Sequence, residues 1–181
     1  MAHIRMRAIA AFLLALSAVA VAAGQQPKRT PDIHYVPTPE EVVEAMLQLA
    51  DVGPDDVVYD LGAGDGRIPI AAARRFGARG VGIELDPKLV AQATRNAQEA
   101  GVPDRVRFIE GDIFEADLSP ATVVTLYLLT SINERLRPKL LKELRPGTRI
   151  VSHQFRMGDW NPDRETVVDF RPLFLWRVPK R

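Results

Sequence analysis

The chain has 181 residues, 46% hydrophobic and 26% charged, with a formal net charge of +1. That is one domain with room for a sizeable core, and a charge too near neutral for nucleic acid to be the expected partner. The absence of cysteine excludes disulfides and thiol chemistry, and His3, His34 and His153 have no metal-ligand spacing, so no metal is expected.

Arg5 and Arg7 precede an uncharged apolar run from Ala8 to Ala23 that ends in small residues before Gly24. Residues 1–23 therefore read as a secretory signal or, if uncleaved, as a membrane anchor. The run is shorter than the about 20 apolar residues of a spanning helix. The expected location is exported and periplasmic, or anchored by this segment, with membrane contact through it alone. Residues 24–36 form a proline-dotted linker or arm, and 37–181 the folded domain.

The domain opens with Thr38, Pro39 and Glu41, the spacing of an N-cap, a first helical residue and a capping box; the helix should run over 39–50. Strand and helix patterns then alternate. Strands are predicted over 57–61, 80–85, 106–109, 122–128 and 148–153. Helices are predicted over 67–76, 86–100 and 131–144, the last capped by Ser131 with Glu134 and broken or restarted at Pro138. This alternation implies a parallel sheet with helices on both faces. Two last strands, 166–170 and 173–178, are separated only by Arg171-Pro172, too short for a parallel crossover, so they form an antiparallel hairpin. The expected fold is α/β: a Rossmann-like, doubly wound, seven-strand sheet, mostly parallel with an antiparallel C-terminal hairpin.

The chemistry concentrates at Asp60-Leu61-Gly62-Ala63-Gly64-Asp65-Gly66, between the first strand and its helix. Glycines at alternate positions build a turn tight enough for a ligand to lie on backbone N–H groups. Glu84, 22 residues beyond Gly62, ends the second strand where an acid accepts hydrogen bonds from ribose hydroxyls. Arg67 stands where a dinucleotide-binding turn has its third glycine, and two acids would repel a pyrophosphate. Asp60 and Asp65 suit a ligand that carries positive charge.

These motifs resemble the seven-strand (class I) methyltransferases that use S-adenosylmethionine (SAM). Gly111-Asp112-Ile113 resembles their adenine-contacting segment, and Leu144-Arg145-Pro146-Gly147 their turn before the fifth strand. The resemblance implies SAM as cofactor. Asp60, Gly62 and Gly64 would lie along its methionine end, Glu84 would hold the ribose, Asp112 would accept from the adenine amino group, and Leu85 and Ile113 would flank the ring. Tyr35-Val36-Pro37-Thr38-Pro39 before a Val-Val helix is similar to a narrower group, the small lysine methyltransferases related to those acting on the ATP synthase c-subunit and the ADP/ATP carrier. By that resemblance Tyr35 and Thr38 would help close the SAM site.

The acceptor is less legible. After the fourth strand this chain has Leu126-Tyr127-Leu128-Leu129 where many amino-methylating relatives have Asn/Asp-Pro-Pro-Tyr. Tyr127 and His153 are the candidates for the transfer step, each with core packing or strand-end hydrogen bonding as the alternative, and Trp160 is a lid or a cover of the sheet edge. The expected activity is methyl transfer to nitrogen, on a protein lysine; a SAM- or nucleoside-binding module without transfer is the alternative. The partner is a protein or small-molecule methyl acceptor, and the expected state is a monomer.

Overall fold

In the computed structural model the described residues are 35–180; the predicted signal or anchor and most of the arm lie outside them. The elements are α1 (Glu40–Leu49), β1 (Val57–Leu61), α2 (Arg67–Phe76), β2 (Arg79–Glu84), α3 (Pro87–Glu99), β3 (Val106–Glu110), β4 (Val123–Leu126), α4 (Thr130–Glu143), β5 (Arg149–His153), β6 (Arg164–Val168) and β7 (Arg171–Arg177). The strands form one sheet in the order β3-β2-β1-β4-β5-β7-β6. The first five are parallel, and β7 runs antiparallel between β5 and β6. This is the predicted seven-strand architecture.

The strands sort their side chains between two cores because successive residues point to opposite faces. On one face Val58, Val123, Val151, Leu173 and Leu175 meet Val42, Val43, Met46 and Leu47 of α1 and Ile68 and Ala72 of α2. On the other, Leu61, Val124, Leu126, Ile150 and Trp176 meet Leu136 and Leu140 of α4. The connection from β3 to β4 contains no helix; Leu118 and Ala121 fill the space there, both almost fully buried. Edge strand β6 shows Arg164, Glu165 and Thr166 to solvent, charges that discourage further pairing.

Several local expectations yield to tertiary contacts. Helix α1 starts at Glu40 with Pro39 at the N-cap and no side-chain cap, so Thr38 does not build a capping box. Its hydroxyl lies 3.4 Å from Nδ1 of His153 instead. Helix α4 starts at Thr130 with Leu129 at its N-cap, which places Ser131 inside the helix, and it passes Pro138 without interruption. Strand β4 has four residues where seven were predicted, because the chain leaves the sheet after Leu126 to enter α4. The hairpin turn is Asp169-Phe170, not Arg171-Pro172: both turn residues have positive φ, 46° and 59°, the geometry that matches strand twist. Arg171 and Pro172 belong to β7, where the Pro172 carbonyl accepts from Gln154 N–H at 2.8 Å.

Candidate active site

The glycine turn forms at the carboxyl end of β1. Gly62, Gly64 and Gly66 all adopt positive φ, at 83°, 54° and 81°, a conformation that costs residues with a Cβ roughly 1–3 kcal/mol. Gly62 and Ala63 donate their N–H groups to the carbonyl of Ile83, at 2.9 and 3.0 Å, which locks the turn to β2. Below it lies Phe108 of β3. A Cβ at Gly66 would stand 2.7 Å from Phe108 Cε1, and one at Gly82 would stand 2.5 Å from Phe108 Cδ1. Gly82 and Phe108 were not anticipated; the signal was a glycine inside a strand, which marks close approach by another group.

Glu84 is nearly buried and holds the turn from the second strand. Its Oε2 accepts from Gly64 N–H at 2.9 Å, and its Oε1 from the N–H groups of Leu85 and Asp86 at 2.8 and 3.0 Å. Three fixed donors orient the carboxylate and leave lone pairs for ribose hydroxyls. Asp60 is 4% exposed and accepts from the hydroxyl of Thr125 at 2.7 Å. Burial pushes its carboxyl up to about 7, and the carboxylates of Glu84 and Asp65 push the same way. An acid raised by burial and by neighbouring acids is one that a cationic ligand would ionise and bind.

Asp65 is different. Burial opposes its ionisation, but its ion pair with Arg67, Nη2 to Oδ2 at 2.6 Å, keeps it below the usual carboxylate range. Arg67 also donates from Nη1 to the carbonyl of Thr38 at 2.7 Å, tying the arm to the turn. Tyr35 completes the clasp: its ring covers Gly64, its hydroxyl bonds Asp65, and burial and the Asp65 charge raise its pKa. The two arm residues predicted to close the site, Tyr35 and Thr38, thus both meet the glycine turn or its Arg67.

The expected adenine side lies at the ends of β2 and β3. Asp112 turns the chain by accepting from Phe114 N–H at 2.9 Å, while Gly111 N–H bonds the carbonyl of Glu84 at 2.9 Å. Leu85 and Ile113 are half-buried, and Ile113 packs against the core on the α4 face.

A second cluster stands at the ends of β4 and β5, one strand from Asp60. The rings of Tyr127 and His153 have centroids 3.9 Å apart, and Phe155 stacks on Tyr127 at 6.1 Å. Tyr127 donates its hydroxyl to Gln154 Oε1 at 3.3 Å. His153 is fully buried, and its Nε2 has no hydrogen-bond partner. Burial, with help from Arg171, lowers its pKa to about 4, so the imidazole is neutral near pH 7. Buried Asn133 of α4, also unanticipated, places its amide nitrogen 3.2 and 3.3 Å from the carbonyls of Phe155 and Arg156 and steadies the loop after β5. Trp160 is not at this cluster. It packs on Trp176 of β7, whose indole donates to the Trp160 carbonyl at 2.8 Å, so it covers the core on the α4 face of the sheet. Among the described residues no group of three or more His, Cys, Asp or Glu is arranged to hold a metal.

The turn, its acids and its clasp fit SAM: a cradle that accepts no Cβ at Gly64, a buried acid poised for a cation, and an oriented carboxylate for a ribose. Known proteins point the same way. The family model for the ANTKMT methyltransferase domain matches residues 60–164. A protein-lysine N-methyltransferase of Saccharolobus islandicus is 53% identical over 77% of this chain and 87% of its own length. The adenine nucleotide translocase lysine N-methyltransferase of Mus musculus is 37% identical over 72% of this chain, which spans 56% of the mouse protein. A solved RNA methyltransferase from Salinibacter ruber, in complex with S-adenosyl-L-homocysteine, is 60% identical with a TM-score of 0.80, covering 81% of this chain and 95% of its own.

Proposed function

Because the chain belongs to the ANTKMT methyltransferase domain family, we propose that it is a SAM-dependent protein-lysine N-methyltransferase. The observation that carries this reading is the adjacency of two unlike sites on neighbouring strands. Asp60 and Glu84 form an acidic cradle at β1 and β2, and Tyr127, His153 and Phe155 form an aromatic cluster at the ends of β4 and β5.

When bound, SAM supplies an electrophilic methyl group on a sulfonium. Asp60 and the Gly62–Gly64 backbone would hold its methionine end, Glu84 its ribose, and Asp112 its adenine, with Leu85 and Ile113 against the ring. Tyr35 and Thr38 would close the arm over it. The chain's own residues then have one task, which is to present a neutral amine in line and free of water. An apolar aromatic site disfavours an ammonium and so lowers a lysine's pKa. The neutral imidazole of His153 adds no charge and, buried behind the Tyr127 ring, backs the cluster from within. Tyr127 lines the approach.

Label transfer from radioactive SAM, followed by acid hydrolysis and separation of the amino acids, tests the assignment. Methyl-lysine is the expected product. Label entering RNA and no protein would overturn it in favour of the chemistry named for the Salinibacter relative, and SAM binding with no transfer would leave the binding-module alternative. The near-neutral charge of this chain offers little general attraction for a polyanion. Export or anchoring by residues 1–23 is likewise proposed, and cell fractionation with N-terminal sequencing tests it.

A further inference from the structure

Five large apolar side chains are exposed among the described residues: Tyr35, Val36, Leu129, Val167 and Phe170. They come from distant parts of the sequence, yet all five lie at the carboxyl end of the parallel strands. Tyr35 sits on Gly64 just past β1, with Val36 beside it. Leu129 follows the end of β4 by three residues. Val167 pairs with Pro172, whose carbonyl bonds Gln154 just past β5, and Phe170 is in the turn that follows. From β1 to β6 is four strand spacings in the sheet order, about 19 Å. Tyr127, just past β4, and His153, at the end of β5, lie in the middle of this band.

Phe170 is the telling member. It is 96% exposed and holds a φ of 59°. Glycine or asparagine takes that turn position without strain, whereas a bulky residue there is an outlier. The ring gains no core contact in return, so its use lies outside the chain.

We propose that this band docks the polypeptide on both sides of the acceptor lysine, and that the docked stretch is apolar. The inference rests on the lysine reading above and names its substrate class: a lysine with apolar flanks. A chain that delivers an amine to the Tyr127–His153 cluster must cross the rim on either side of it, and the rim is apolar at Tyr35, Val36 and Leu129 on one side and at Val167 and Phe170 on the other. The span admits about six extended residues. Apolar flanks would be buried against it, and polar ones would leave it wet. A bilayer fits less well, because the carboxylate of Asp169, half-exposed and paired with Arg171, stands beside Phe170 at the tip.

The test uses the full chain, two variants, Phe170→Gly and Val167→Thr, and two synthetic peptides, one with lysine between leucines and valines and one with lysine between serines and glutamines. The expected result is a lower KM for the apolar peptide and a rise in that KM of about tenfold in Phe170→Gly, with SAM affinity unchanged. Val167→Thr raises it less. Phe170→Gly removes backbone strain, so its melting temperature should not fall, and lost activity cannot be read as misfolding. Equal KM values for the two peptides, unmoved by either variant, overturn the inference while lysine methylation stands. Phosphatidylglycerol–phosphatidylcholine vesicles that bind the wild type and not Phe170→Gly, without any peptide effect, overturn it in favour of a membrane contact. Labelling of RNA with neither peptide methylated overturns the lysine reading and this inference with it.

Discussion

The ring of Tyr35 lies on the backbone of Gly64, where an added Cβ would stand 2.6 Å from Tyr35 Cδ2. The arm that precedes the first helix is thereby seated on the turn between β1 and α2, and the seat requires a residue without a side chain.

Gly64→Ala should unseat it. The new methyl displaces Tyr35 and also strains a backbone with φ of 54°, so SAM affinity falls by about tenfold or more and stability by roughly 1–3 kcal/mol. Isothermal calorimetry and thermal melting measure both. Gly53→Ala is the control, since a Cβ there meets nothing within 4 Å. Equal behaviour of the two variants would refute a seated arm.

Asp60 links ligand binding to pH. Its folded-state pKa is raised to about 7, so the native state holds a proton that the unfolded chain releases near pH 4. Stability therefore falls as pH rises through this window. A cation-bearing ligand favours the ionised form, so SAM affinity should increase with pH until about 7, and binding at pH 6 should release a proton. Calorimetry in two buffers of different ionisation enthalpy detects that release. Asp60→Asn should abolish the pH dependence, stabilise the free protein at pH 8 and weaken SAM binding by more than about tenfold. A variant that still binds normally would exclude Asp60 from the site.

His153 has the opposite sense. Its folded pKa is depressed to about 4, so the unfolded chain takes up a proton first as pH falls. The stability present above pH 6.5 is lost between there and about pH 4, by roughly 1–3 kcal/mol. His153→Gln should flatten that acid limb in urea titrations. If the imidazole backs the amine's site, the same variant lowers kcat by about tenfold or more with SAM affinity intact. A flattened acid limb with unchanged kcat would mark His153 as structural.

Arg67→Gln tests the clasp from its other end. It loses the charged pair with Asp65 and weakens the bond to the Thr38 carbonyl. SAM affinity should fall by about three- to tenfold, while the fold persists because the partly buried Arg67 belongs to none of the hydrophobic clusters of the core. Chymotrypsin should cut after Tyr35 several-fold faster in the variant, with cleavage in β1 unchanged. An unchanged rate after Tyr35 would show that Arg67 does not hold the arm.

Much of this site is legible in the order of residues alone. Asp60, the three glycines and Glu84 lie within a span whose geometry depends on local backbone rules and on the repeat of strand and helix. Other parts are not legible in that way. Thr38 carries a convincing local capping signature, yet its hydroxyl faces His153, 115 positions away. Phe170 gives no local sign of being a turn residue, since Pro172 is the stronger turn marker; strand pairing and twist decide otherwise. Gly82 is explained only when Phe108 is seen against it.

From sequence alone came the order of elements, the antiparallel ending and the place of the tight glycine turn. Each follows from interactions among near neighbours: the periodicity of apolar residues, the φ values open to glycine, and the shortest connection two strands allow. Only the tertiary structure decided that Tyr35 rests on Gly64, that Tyr127 lies against His153, and that the exposed apolar side chains gather at the same end of the sheet. Those relations depend on strand order and register, which bring together residues that no local rule connects.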